Sequence, residues 1–315
     1  MPASLATLAA RARILKAVRA WFDEQGFLEV DTPARVRSPG QEVHLDAIAA
    51  GDGYWLITSP EYHMKRLVAA GCTRIVQIGK CWRAEELGPH HRSEFTMIEW
   101  YRAGEPLDAL ASDCEQLVRV AAQAAGRAPA ALGAEAPFER ATVRELVARH
   151  AGIELAGDED AAALRAKVAA AGVQAGSATA WDDIFYQLFL DRIEPALARS
   201  RPTFVFDWSA PLAALARPKP GDPRVVERFE LYAGGLELAN AFGELTDAVE
   251  QRRRFEHEAR LRAERGKDVY PIDEELLAAL PAMPATAGIA LGFDRLVMFA
   301  LGATDIGEVT AFAAI

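Results

Sequence analysis

Two long strand-like runs, "RIVQIGKCWRAE" (74–85) and "EFTMIEWYRA" (94–103), follow one another with only a short turn carrying Gly88 and Pro89 between them. Runs this close pair antiparallel, because parallel neighbours need a crossover of a dozen or more residues. The pair carries Arg83, Glu85, Glu94 and Glu99 where a buried sheet is normally apolar. Strand alternation places Phe95, Met97, Glu99 and Tyr101 on one face, and Arg83 with Glu85 on one face of the preceding strand. A surface sheet can carry one Arg–Glu pair without consequence. Here the charges come with an aromatic ring and two histidines, which describes the floor of a polar pocket for a charged ligand.

The same signature returns in "RFELYAGGLELANAF" (228–242), where Gly234-Gly235 suits a hairpin turn. Glu230, Glu237 and Glu244 recur every seven residues, with Asn240 between the last two. The glycine pair rules out a helical stripe. Two of these carboxylates suit magnesium through hard oxygen ligands, and another suits a ligand amine. A third element, "GIALGFDRLVMFALG", runs from a strand into a helix with Arg295 in its first turn. Free backbone N–H groups, positive potential and an arginine together favour phosphate there. The chain has no Gly-x-x-x-x-Gly-Lys-Ser/Thr loop and no dinucleotide fingerprint, so a nucleotide would bind on the sheet.

The remaining features set limits. The 315 residues suffice for one large domain or two smaller ones. A net charge of -10 argues against a general nucleic-acid binder, whose affinity comes from neutralising phosphates. Cys72, Cys81 and Cys114 show neither zinc spacing nor a disulfide framework, which predicts a reducing, cytoplasmic home. The most apolar late stretch is broken by Asp294 and Arg295 and is too short to span a bilayer. The basic start (Arg11, Arg13, Lys16, Arg19) has the flavour of a transit peptide. However, Leu8, Ile14, Leu15, Val18, Trp21 and Phe22 fall mostly on one helical face and lead into "GFLEVDTP", so the segment reads as an amphipathic helix of the fold. From Leu107 to Ala198 the chain is Ala-rich and reads as a helical insertion. Strands on both sides of it predict an α+β domain with a mixed, largely antiparallel sheet.

Taken in order, these stretches resemble the catalytic domain of class II aminoacyl-tRNA synthetases, specifically the lysyl branch. "GFLEVDTP" is similar to motif 1, "WRAEELGPHHRSEFTMIEWY" to motif 2, "ALGFDRLVMFALG" to motif 3, and "FELYAGGLELANAFGELTD" to the lysyl-type hairpin. The resemblance covers nearly the whole chain apart from the insertion, and implies a single catalytic domain over 1–315. The motif 1 helix starts within about the first ten residues by its apolar periodicity, which leaves no room for the N-terminal anticodon-binding barrel of the synthetases. The chain therefore resembles the stand-alone paralogues of that branch, which use ATP to attach β-lysine to a lysine of elongation factor P. No tRNA or membrane partner is expected, and a homodimer built around Trp21, Phe22 and the motif 1 strand is.

The resemblance also implies roles. Arg83 would stabilise the α-phosphate, with Glu85 near the adenine amino group and His91 near the terminal phosphates. Phe95 would stack on adenine with Arg295 on its other face, and Arg295 would also hold the γ-phosphate. Glu230 and Glu237 would bind magnesium. Glu61 would take the amine nearest the substrate carboxylate, while Glu99, Tyr101 and Glu244 take the distal one and Asn240 orients the carboxylate. Ala290 stands where lysyl-tRNA synthetases typically have glycine, a methyl that would favour an amine one carbon farther along. The Gly-Gly-Ala-like loop of the synthetases reads "SPGQEV" here, which removes the expected backbone contacts to the substrate amine. No residue is identified as the base for transfer. Competing expectations are activation of α-lysine, use of a different acceptor, or a non-catalytic regulatory subunit; the presence of all the ATP groups argues against the last.

Overall fold

The structure, a computed structural model, describes residues 3–174, 176 and 178–312. Ser4 starts the first helix: its hydroxyl accepts the Thr7 N–H at 3.1 Å, and α1 runs Leu5–Glu24. One face of α1 buries Ala10, Ile14, Val18, Trp21 and Phe22, while Leu8 and Leu15 of the expected face are only partly buried. The motif 1 strand shrinks to β1 (Leu28–Glu29), and β2 (Arg35–Val36) and β3 (Trp55–Leu56) form a separate small pair. After α2 (Glu61–Ala69) come the two long strands, β4 (Arg74–Trp82) and β5 (Glu94–Ala103), paired antiparallel as expected, with Arg74 opposite Arg102 and Trp82 opposite Glu94.

The stretch read as a helical insertion holds α3 (Leu107–Ala124), α4 (Val143–Ala151), α5 (Ala161–Ala170), α6 (Trp181–Leu188) and α7 (Glu194–Leu197). It is not helical throughout. Glu139–Thr142 forms β6, which pairs parallel with β7 (Thr203–Ser209). Four residues with one buried side chain are too few to display alternation, so this strand left no mark in the sequence pattern. Nor is α3 peripheral. Asp113 on α3 accepts hydrogen bonds from Trp100 Nε1 (3.0 Å), Arg102 Nε (2.7 Å) and Arg102 Nη2 (2.8 Å) on β5. Its apolar face, Cys114, Leu117, Val118 and Ala121, shares a core with Ile14, Trp21, Ile98 and Trp100.

The chain closes with β8 (Pro218–Lys219), β9 (Asp222–Ala233), β10 (Leu236–Gly243), α8 (Ala248–Glu264), α9 (Glu274–Ala279), β11 (Thr286–Gly292) and α10 (Phe293–Leu301). The main sheet runs β1-β4-β5-β11-β10-β9-β7-β6, with β8 attached to β9. Only the β1–β4 and β6–β7 pairs are parallel, so the sheet is mixed and largely antiparallel. Helices α1, α3 and α10 pack in one core with β5, β10 and β11. Trp21 and Phe22 are buried in that core, with Phe22 in edge contact with Trp100 at 5.4 Å. Within the motif 1 strand Leu28 stays exposed. Among the described residues no helix is long and apolar enough to cross a membrane.

Candidate active site

A cavity of about 990 Å³ opens over the central strands, β5, β11 and β10, at the upper end of the usual range for small-molecule sites. Its floor is set by ladder register. Ala290 on β11 pairs with Glu99 on β5 and with Asn240 on β10, so these three side chains stand side by side.

The acidic end is built around an ammonium that belongs to the protein. Glu61 and Lys65 are one turn apart on α2, and Lys65 Nζ lies 2.6 Å from Glu61 Oε1 and 2.6 Å from Glu244 Oε2. The Tyr101 hydroxyl donates to Glu99 Oε1 at 2.7 Å, leaving Glu99 Oε2 buried with no partner among the described residues. Lys65, Glu99, Tyr101 and Glu244 are all buried. Burial works against the Lys65 charge, but Glu244 and Glu61 outweigh it and push its pKa up. Burial, reinforced by Glu61, drives Glu99 well above the usual carboxylate range. Burial likewise lifts Glu244 to about 7 despite its Lys65 partner. Three carboxylates around one ammonium thus form a site short of positive charge, which suits a ligand with amines. Gly288 makes the room: a Cβ there would overlap the Glu244 carboxylate and the Tyr101 ring.

The basic end lies towards α10. Asp294 caps nothing with its side chain; it is held by Arg11 Nη1 at 2.6 Å and accepts the Thr96 N–H at 2.7 Å, fixing the start of α10 against α1 and β5. Arg295 thereby projects to the cavity, where Nη1 donates to the Glu237 carbonyl (2.8 Å), Nε to the His90 carbonyl (3.3 Å) and Nη2 to His91 Nε2 (2.5 Å). Burial and the Arg295 charge lower the His91 pKa, which keeps that ring nitrogen an acceptor. Arg83 sits above the Phe95 ring, 5.2 Å from its centroid. The two carbonyls and the imidazole just named hold the Arg295 guanidinium.

A bulge joins the two ends. Glu237 pairs with Tyr232 but Ala239 pairs with Leu231, which leaves Leu238 as an extra residue in β10. Glu237 and Glu244 are an odd number of residues apart and would face opposite ways on a regular strand. The extra residue restores phase, so Glu237, Asn240, Phe242 and Glu244 all line the cavity.

Of the residues singled out in the sequence, Glu61, Arg83, His91, Phe95, Glu99, Tyr101, Glu237, Asn240, Glu244, Ala290 and Arg295 come together on this wall. Two do not. Glu85 takes a left-handed backbone (φ 63°) that leaves it exposed, and its neighbour Glu86 lines the cavity. Glu230 lies buried beneath the wall, where its carboxylate accepts from Arg228 Nη2 at 2.5 Å and from the Tyr232 hydroxyl at 2.6 Å. Burial, then the charge of Glu237, raise the Glu230 pKa to about 7.

Sequence reasoning missed Lys65, Arg228 and Gly288. Arg228 donates to Asn240 Oδ1 at 3.2 Å and to the Leu212 carbonyl at 2.7 Å, fixing the orientation of the asparagine. The signals were present: Lys65 at i+4 from Glu61, an arginine two residues before Glu230, and a glycine inside a strand.

The family model for tRNA synthetases class II (D, K and N) matches residues 2–315. The elongation factor P–(R)-beta-lysine ligase of Klebsiella pneumoniae subsp. pneumoniae is 41% identical over 322 residues, covering 98% of this chain and 95% of its own. The protein of the same name from Erwinia tasmaniensis is 41% identical over 321 residues, with the same coverage. That from Salmonella dublin is 39% identical over 322 residues, again covering 98% and 95%.

Proposed function

Since this chain belongs to the class II tRNA synthetases of the D, K and N type and is an ATP-dependent ligase, we propose that it activates β-lysine as an adenylate and transfers it to a lysine of elongation factor P. The observation that carries this reading is one cavity with opposite chemistry at its two ends. Glu99, Tyr101 and Glu244 suit the distal amine of a diamino acid, and Arg83, His91 and Arg295 suit phosphates. Asn240 and Ala290 lie between them.

In this reaction a carboxylate oxygen of the amino acid attacks the α-phosphorus of ATP, and the bond to the bridging oxygen breaks as pyrophosphate leaves. Arg83 stabilises the charge on the α-phosphate, and Phe95 offers a ring face to adenine. Arg295 and His91 hold the terminal phosphates. Donors fixed in advance by the fold supply much of the barrier reduction in such sites. A hard cation such as magnesium would fit Glu237, whose carboxylate accepts no hydrogen bond among the described residues, is partly exposed and lies 3.9 Å from Arg295 Nη1. When bound, the ion neutralises charge on the phosphates. In the second step an acceptor amine attacks the adenylate carbonyl and AMP leaves.

The identity of the amino acid and acceptor is supported by the relatives, which are elongation factor P–(R)-beta-lysine ligases. The reading also takes the enzyme to be a cytoplasmic homodimer that leaves tRNA uncharged. Pyrophosphate exchange with α-lysine and each β-lysine enantiomer, followed by mass measurement of elongation factor P after incubation with enzyme and ATP, tests it. Exchange with β-lysine and a mass gain of one β-lysyl group are expected. Absence of exchange with any of the three amino acids would overturn it.

A further inference from the structure

The loop between β2 and β3 replaces the glycine-rich lysine-binding loop of the synthetases with "SPGQEV" (38–43). It is tied down on both sides of Glu42. Gln41 donates through Nε2 to the Pro271 carbonyl (2.9 Å), and its backbone N–H donates to the Tyr62 hydroxyl (3.2 Å). The Val43 N–H donates to Glu258 Oε2 at 2.8 Å. Glu42, between these anchors, lines the cavity, yet among the described residues its carboxylate makes no ion pair and no hydrogen bond to another residue. Room for it comes from Gly40, at φ +148°, where a Cβ would stand 2.8 Å from Glu42 Oε2 and 3.1 Å from Thr58 Oγ1.

The groups around Glu42 are Glu61 and Tyr62 from α2, Glu258 from α8, and Arg83 beyond β4. Burial, then the Glu61 charge, push its pKa up to about 7. Glu61 already engages a cation, Lys65, which it shares with Glu244, whereas Glu42 engages none among the described residues. A carboxylate held in place, half-buried and without a cation is therefore present at the Glu61 side of the pocket, where the synthetase loop would supply backbone contacts.

We infer that Glu42 is a specificity-determining residue that receives the substrate amine nearest the carboxylate, a side-chain contact standing in for the missing loop. This rests on the proposed function, which supplies the diamino acid. It gives Glu61 a supporting position, paired with Lys65 behind the contact.

The test removes the charge from the protein and the amine from the ligand separately. Either lysine isomer without its proximal amine becomes 6-aminohexanoate, which keeps the distal amine and the carboxylate. Glu42→Gln is expected to raise KM for the diamino acid in pyrophosphate exchange by roughly 10- to 100-fold, the usual worth of a hydrogen bond to a charged group. KM for ATP and the inhibition constant of 6-aminohexanoate should stay unchanged, and Glu42→Asp should recover part of the loss. An unchanged KM in Glu42→Gln, with normal exchange by the wild type, overturns the assignment while leaving the proposed function standing. A parallel rise in KM and in the 6-aminohexanoate constant also overturns it, because it marks a loop that has lost its shape. Absence of exchange by the wild type with every lysine isomer overturns both readings together.

Discussion

Ala290 faces Glu99 directly across the β11–β5 ladder, so its methyl stands beside the carboxylate proposed for the distal amine. If that methyl sets how far along the chain the proximal amine sits, Ala290→Gly should improve α-lysine activation relative to β-lysine. The shift should be about 1–3 kcal/mol in the ratio of kcat/KM values, as for other single methyl groups in pockets. Exchange rates for both substrates in the two proteins check it. A ratio that stays constant while both rates fall would return Ala290 to a packing role.

Arg295→Ala and Glu237→Ala should each abolish amino-acid-dependent pyrophosphate exchange without unfolding the protein. Arg295 is partly exposed and Glu237 more so, so neither supports the core. Both face phosphate charge in the proposed reaction, where loss of one such group costs several kcal/mol, on the order of 3. Near-normal exchange in either folded variant would remove the phosphate site from this end of the cavity.

Gly288→Ala should damage amino-acid binding more than ATP binding. The added methyl meets Glu244 and Tyr101, both rigidly held, so the acidic end must shift. Overpacking of this kind costs about 1–3 kcal/mol. An amino-acid KM equal to the wild type's would show that the wall yields and that the glycine is incidental.

The amino-acid KM should rise as pH falls below about 7. Glu244, raised to about 7 by burial, takes up a proton there, and a protonated carboxyl no longer attracts an ammonium. Stability without ligand should run the other way. Between 4.5 and about 7 the folded Glu244 holds a proton that the unfolded chain has released, so stability declines as pH rises through that window. Thermal unfolding across pH, with and without the diamino acid, separates the two trends. A KM flat from pH 6 to 8 would contradict the first.

Asp113→Ala should destabilise the fold by about 3–5 kcal/mol, because it leaves the buried Arg102 without its main partner. Denaturant unfolding measures this directly. A loss below about 1 kcal/mol would mean that α3 docks on the sheet without the ion pair.

Much of this site was legible because strands announce themselves by alternation. Phe95, Glu99 and Tyr101 fall on one face in sequence and line one cavity in the structure. What stayed hidden depended on backbone detail or on partners far along the chain. Nothing in "RAEEL" distinguishes Glu85 from Glu86 until the left-handed turn aims one out and the other in. Glu230 looks equivalent to Glu237 until β9 places Arg228 and Tyr232 on either side of it. Beyond its spacing from Glu61, nothing in the sequence sets Lys65 apart from an ordinary helix lysine, because Glu244, its second partner, lies far along the chain on a different element.

The extra residue at Leu238 has a consequence for how such an enzyme can diversify. It splits β10 into a stretch whose side-chain phase is set by the hairpin and one held to β11 by five consecutive pairs from Ala239 to Gly243. Lengthening or shortening the turn by one residue would rotate Glu237 away while Asn240, Phe242 and Glu244 kept their places. In the proposed reaction, nucleotide handling and amino-acid choice would thus be written in separate reading frames of a single strand. On that reading, a lineage would exchange its amino acid by substitutions after the bulge and inherit the ATP chemistry unaltered.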